Sequence, residues 1–312
     1  MTVNYDELTN IHSELGECSI CPRNCRVNRL AGELGYCKTG AGFYISSICI
    51  HKGEEPVICG TQGICNIFFS HCNLQCIYCQ NYQISCNKNP VNQVLSLDEV
   101  INQIILILKT GINSVGFVTP SHVAPQVKEI IFAIKKKGYK PVFVWNSNGY
   151  DKPETLRCFE TLIDIYLPDF KYVDAEISRQ FSDAKDYPQV ALKAIKEMYF
   201  QKGSKLFLDD NGMAQRGLII RHLVLPGKAE ASIKLLKIIA EEISTKVTIS
   251  LMSQYYPAKN VKNHPVLGRQ LLKEEYMQVT KAMYKIGFTN GWIQDYQSYS
   301  NYRPDFEKEH PF

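Results

Sequence analysis

The 312-residue chain lacks any apolar run long enough to enter a bilayer as a helix. Its longest, "IILIL" at 104–108, is far short of the ~20 residues a spanning helix needs. The opening "MTVNYDELTN" has no apolar stretch of the kind a secretory signal carries. The expectation is a soluble, cytoplasmic protein. Charge of one sign is scarce too. The formal net charge is +4, and the one basic run, "KKK" at 135–137, reads as a solvated helix end. Neither nucleic acid nor an anionic membrane is indicated. Low-complexity stretches and short repeats are missing, which argues against a disordered or solenoid chain. After residue 86 cysteine nearly vanishes as well: eleven of the twelve precede that point, and Cys158 stands alone. An intracellular chain keeps its thiols reduced, so such crowding reads as metal or cluster ligation rather than disulfides.

What is present is globular in composition, 45% hydrophobic and 21% charged. The length suits one large domain or two ordinary ones. Residues 1–60 look irregular, rich in Cys and Gly. From about residue 61 a pattern sets in. Strands are expected at 64–69, 114–118, 141–145, 162–168, 217–225 and 246–252. Helices are expected at 96–109, 125–138, 152–160 with Pro153 near its first turn, around 174–182, 188–202, 230–243 and about 271–286. Ser96 and Glu99 make a capping box for the first long helix, and Ile101, Ile104, Ile105 and Leu108 give it one apolar face. Strand–helix alternation implies a mainly parallel sheet, doubly wound or rolled into a barrel, with ligands at the carboxyl ends of the strands. Those ends read "TPSH", "NSNGY", "PDFK", "LPGK" and "SQYY". They are ordinary turns or one shared polar site.

The densest cysteine group is "HCNLQCIYC", with Cys72, Cys76 and Cys79 spaced C-x3-C-x2-C. A 4Fe–4S cluster normally takes four thiolates. Three leave one iron open to a substrate or cofactor. Zinc and incidental buried thiols are the alternatives. Structural zinc wants four ligands, usually as two knuckles, and His71 adjoins Cys72 too closely to chelate well beside it.

"CNLQCIYC" resembles the C-x3-C-x-aromatic-C signature of the radical S-adenosylmethionine (radical SAM) enzymes. With its flanks and the upstream "CSICPRNCRVNRLAGELGYC", it is similar to the uncharacterised relatives of pyruvate formate-lyase activating enzyme. The resemblance implies an incomplete parallel β/α barrel with an N-terminal Cys-rich cap. It implies that Cys72, Cys76 and Cys79 hold a 4Fe–4S cluster, that SAM binds its open iron, and that reductive cleavage gives a 5′-deoxyadenosyl radical that takes hydrogen from a substrate. Tyr78 should lie against adenine. The turn that receives the methionine amino group falls on "VTPSH", which lacks the usual Glu; Thr119, Ser121 and His122 are the candidates there. "NSNGY" aligns with the family's "DTNGF", with Asn146 in place of Asp, and Ser147 and Asn148 as contacts to ribose or carboxylate. "LPDFK" matches an Asp-x-Lys pattern. Leu167, Asp169 and Lys171 share one face by period two, so Asp169 and Lys171 are the catalytic candidates, with a surface ion pair as the plainer account. His222 is either a methionine contact or a buried, hydrogen-bonded core residue.

Cys18, Cys21, Cys25 and Cys37 form C-x2-C-x3-C-x11-C, a set that suits zinc or a fully ligated second 4Fe–4S cluster. The expected organisation is a Cys-rich segment over 1–60 and a radical SAM barrel over 61–312. The function implied is hydrogen abstraction, from a glycine of a partner protein or from another peptide, RNA or small molecule, with ferredoxin or flavodoxin as electron donor. A non-enzymatic electron carrier or zinc module is the alternative of another class.

Overall fold

The computed structural model describes residues 13–89, 93–300, 303–308 and 310–312. The first twelve residues of the expected Cys-rich segment therefore lie outside the described residues. Strands β1 (Ile45–His51), β2 (Ile64–Phe69), β3 (Ser114–Val118), β4 (Val142–Ser147), β5 (Ile165–Pro168), β6 (Phe207–Leu208), β7 (Ala214–Leu223), β8 (Thr248–Met252) and β9 (Gly291–Ile293) form one sheet in the order β1-β2-β3-β4-β5-β7-β8-β9. Neighbours from β2 to β9 along this path run parallel. β1 adds antiparallel to β2, and β6 to β7. Among the described residues the sheet stays open between β1 and β9, an incomplete barrel.

Helices α1 (Pro56–Cys59), α2 (Tyr82–Ser85), α3 (Leu97–Leu108), α4 (Ala124–Lys136), α5 (Pro153–Arg157), α6 (Ala175–Ser182), α7 (Tyr187–Lys202), α8 (Ala229–Glu242) and α9 (Lys273–Ile286) join the strands. The capping box of α3 is formed, with Ser96 accepting from the Glu99 amide. The outer faces of the strands supply Ile67, Val115, Phe117, Phe143, Trp145, Tyr166 and Ile220, which pack under Ile104, Ile130, Ile195 and Leu236 of the helices. Burial of this set is the main stabilising term, since each such side chain contributes about 1.5–3 kcal/mol. Among the described residues no helix is long and apolar enough to cross a membrane.

Period two sends the alternate residues inward, and each inward series starts apolar and ends polar. Ile64 is followed by Asn66, Val144 by Asn146, Leu167 by Asp169, and Ile219 by Arg221. The apolar members form an inner cluster at the base with Ile58 and Cys59 of α1. The β1–β2 connection thus plugs the barrel from below. Here the structure departs from the irregular segment expected over 1–60: β1 lies in the sheet and α1 in the barrel. A four-residue helix shows no period, and the register shift between Ile45 and Ser47 breaks the alternation of β1. Residues 13–44 sit against the barrel rim. Lys152 Nζ donates to the Ser19 carbonyl at 2.7 Å, and Thr155 Oγ1 to the Ile20 carbonyl at 2.7 Å.

Candidate active site around three cysteines

Asn146, Asp169 and Arg221, polar ends of the inward series, face a cavity of about 220 Å³. The loop after β2 brings Cys72, Cys76 and Cys79 to its wall. Thr119 follows β3, Asn146 to Asn148 follow or end β4, and Asp169 and Lys171 follow β5. Tyr78 lines it as well, with its hydroxyl 2.5 Å from that of Tyr172. The chain reverses at His71 in the left-handed region (φ 66°) to start the cysteine loop, and Thr119 (φ 56°) turns out of β3 the same way.

Each of the three sulfurs meets a hydrogen-bond donor. Cys72 Sγ accepts from the Leu74 amide and from Asn148 Nδ2, both at 3.3 Å. Cys76 Sγ accepts from Ser182 Oγ at 3.0 Å, and Cys79 Sγ from Ser85 Oγ at 3.2 Å. Burial pushes all three thiols up, Cys76 to about 11 although Lys171 pulls it back. Bare thiols here stay protonated, yet the donors are placed to serve sulfur that carries charge.

A buried ionic network forms the floor. Arg221 Nε donates to Asp169 Oδ1 at 2.8 Å, Nη2 to Asn146 Oδ1 at 2.6 Å, and Nη1 to Glu54 Oε2 at 3.3 Å. Asn66 and Asn146 donate to Glu54 Oε1 at 2.9 and 3.0 Å. Lys171 Nζ donates to Asp169 Oδ2 at 2.6 Å. Burial alone would raise the Asp169 carboxyl, but Arg221 and Lys171 hold it below its ordinary value. Glu55, deeper still, is pushed up by burial.

The radical SAM superfamily profile matches residues 66–203, the stretch that contains all three cysteines. Over 268 residues the chain is 30% identical to an uncharacterized protein of Methanocaldococcus jannaschii, covering 83% of this chain and 71% of that one. The chain belongs to the radical SAM superfamily. Among solved structures it is similar to SuiB of Streptococcus suis bound to S-adenosylmethionine (TM-score 0.49, 11% identity, 74% of this chain), of which it spans half the length, 50%. It is also similar to a domain of pyruvate-formate lyase-activating enzyme from Bacteroides vulgatus (TM-score 0.37, 14% identity, 55% of this chain and 93% of that one).

Radical SAM membership implies a 4Fe–4S cluster and SAM, and the residues present fit both. Three thiols on one cavity wall, each with a donor to its sulfur, suit a cluster held at three corners. The cationic and amide side chains beside them suit the carboxylate and amine of an amino acid.

Not every candidate reaches the cavity. Ser121 is buried away from it at 2% exposure. His122 faces the N-terminal cysteines instead. Its Nε2 meets the Ser70 carbonyl at 3.1 Å, and burial lowers it to about 3. His222 lies between β7 and α8, with Nδ1 2.7 Å from the Phe170 carbonyl and Nε2 2.8 Å from Ser232 Oγ. Burial lowers it to about 4, so it is neutral with both nitrogens engaged. Ser147 lines the cavity but gives its hydroxyl to Asp151 at 2.6 Å. Glu54 and Arg221 escaped sequence reasoning. The signal for Arg221 was its phase with Ile219; Glu54 left none.

Proposed function

We propose that this radical SAM enzyme binds its cluster through Cys72, Cys76 and Cys79 and abstracts hydrogen from a protein or peptide, in the activase-like case from a glycine. The observation that carries the reading is the meeting of three donor-assisted thiols with Asp169, Lys171 and Arg221 on one cavity. When bound, the cluster with SAM at its open iron supplies a 5′-deoxyadenosyl radical. The chain's own residues do the rest. Ser85, Asn148 and Ser182 stabilise negative sulfur. Asp169 fixes Lys171 beside Cys76 and, through Arg221, ties it to Glu54. Tyr78 presents a ring to the cavity, buried against Tyr255 at 6.1 Å. The apolar base below Asn66 and Arg221 shuts water out from beneath.

A chain-like substrate is supported by the make-up of the cavity wall. The cavity wall reaches both sides of the gap in the sheet, with His51 and Phe68 on one and Met252 and Gln254 on the other. The carboxamides of Gln80, Asn81 and Gln254 on that wall match peptide groups in donors and acceptors, and a chain entering there must displace the C-terminal Phe306 and Phe312, which pack on Phe68 and His51. Ferredoxin or flavodoxin is the class of electron donor the chemistry needs.

The test is isotopic. Reduced enzyme and SAM are incubated with a proteome labelled with α-dideuterated glycine, and 5′-deoxyadenosine is weighed by mass spectrometry. A one-deuterium gain is expected. Gain only from a fully deuterated proteome moves the site to another residue. Gain from neither overturns the protein-substrate reading.

A further inference from the structure

Two features stand outside that reading. Cys18, Cys21, Cys25 and Cys37 share one small cavity with Arg29 and His122. The other is Tyr172, which joins two residues that the reading uses.

Period two sets Tyr172 apart from its neighbours. Asp169 and Lys171 line the cavity, whereas Phe170 and Tyr172 belong to the packed core behind it. The Tyr172 hydroxyl lies 2.5 Å from that of Tyr78 and 2.7 Å from Ser182 Oγ. Ser182 Oγ in turn donates to Cys76 Sγ at 3.0 Å. The end of α6 that carries Ser182 also grips the cysteine loop on either side of Cys76. There the Gln75 amide donates to the Ser182 carbonyl at 3.3 Å, and the Ile77 amide to the Phe181 carbonyl at 2.9 Å. Edge-on contacts with the rings of Phe181 and Tyr187, at 6.4 and 5.4 Å, fix the Tyr172 ring. Tyr78, Tyr172 and Ser182 are all buried.

This row of hydroxyls can run in only one direction. A sulfur bound to iron carries no proton and can only accept. A hydroxyl has one proton to give. Ser182 gives its proton to Cys76, so Tyr172 must donate to Ser182, and Tyr78 to Tyr172. All three O–H dipoles then point toward the sulfur. In a buried site such a row polarises along its length, each bond strengthening the next.

We propose that Tyr172 is a positioning residue that couples the Tyr78 ring to Cys76, so that a ligand packed against Tyr78 alters the reduction potential of the cluster. The row strengthens as negative charge builds on the sulfur, and it therefore favours the reduced cluster. A displacement of the Tyr78 hydroxyl changes the first link, and the change reaches Cys76 through the next two. No proton leaves its oxygen.

The inference rests on the proposed function for a cluster at Cys76, and the test separates the two. The readout is the midpoint potential of that cluster, followed without substrate by the paramagnetic signal that Cys76→Ala abolishes. Tyr172→Phe keeps the ring and removes only the hydroxyl. It is expected to lower the potential in the same direction as Ser182→Ala, by a smaller amount, with iron content unchanged. In a Ser182→Ala background it is expected to shift the potential no further. In a Ser85→Ala background, where Cys79 loses its own separate donor, the full Tyr172→Phe shift is expected to return. A potential that ignores Tyr172→Phe, or a shift that persists without Ser182, overturns the row. SAM is expected to shift the wild-type potential, and that shift to shrink in Tyr172→Phe; a shift of equal size in both overturns the coupling. Should Tyr172→Phe fail to fold, Tyr78→Phe breaks the row one link earlier, and the same backgrounds decide. A wild type that holds no cluster at Cys76 overturns the proposed function along with this inference, whereas a cluster indifferent to Tyr172 overturns this inference alone.

Discussion

Burial sets the chemistry of the three thiols. Desolvation pushes Cys72, Cys76 and Cys79 up, so iron loading must displace protons. Cluster assembly on the apoprotein is expected to speed up between pH 7 and pH 9, followed by its visible absorbance; a flat profile contradicts the assignment. Ser182 donates to Cys76 Sγ at 3.0 Å, and such a bond favours the more negative, reduced cluster. Ser182→Ala is expected to lower the midpoint potential by roughly 40 mV, the one-electron equivalent of about 1 kcal/mol, with iron content unchanged in a spectroelectrochemical titration. Glu55 behaves oppositely to Asp169. Its folded value is raised, so the unfolded chain releases that proton first and stability falls as pH rises from the ordinary carboxylate range to the raised value. Glu55→Gln is expected to flatten that slope in thermal melts between pH 5 and pH 8. A slope equal to wild type contradicts the protonated state. Cys72, Asp169, Lys171 and Asn148 were legible because motif and phase are local. The pairing of Arg221 with Glu54 was not, because 167 positions separate them.

Most strands and helices announced themselves by period: β2 and β3 coincide with the expected 64–69 and 114–118. What stayed hidden was short or irregular, namely β1, the two-residue β6, the three-residue β9, the short helix α2 and the plug helix α1. The plug matters to the site because it carries Glu54 into the barrel. Ile58 is 2% exposed in the inner cluster, and Ile58→Ala is expected to cost about 2–5 kcal/mol in denaturant unfolding. A loss within 0.5 kcal/mol would mean the plug does not pack as described. The turn after β4 depends on Gly149. At φ 78° a side chain is strained there, and a Cβ would lie 2.3 Å from the Asp169 carbonyl oxygen. Gly149→Ala is therefore expected to displace the Asn148 and Asp169 loops together and to reduce cluster occupancy.

At the scale of the molecule, one repeating idea produces both fold and site. Inward positions are apolar at the base and polar at the rim, and the C-terminal Phe306 and Phe312 pack on Phe68 and His51 beside the gap between β1 and β9. The alternation of elements made the parallel sheet legible, but it did not distinguish a doubly wound sheet from a barrel, because strand order is a long-range property. The most direct measurement is product analysis of the iron–sulfur-loaded protein after anaerobic reduction with SAM present. Wild type is expected to form methionine and 5′-deoxyadenosine, and Cys72→Ala to form neither. A loaded, reduced wild type that leaves SAM intact, or one that carries only zinc at Cys72, Cys76 and Cys79, would contradict the account.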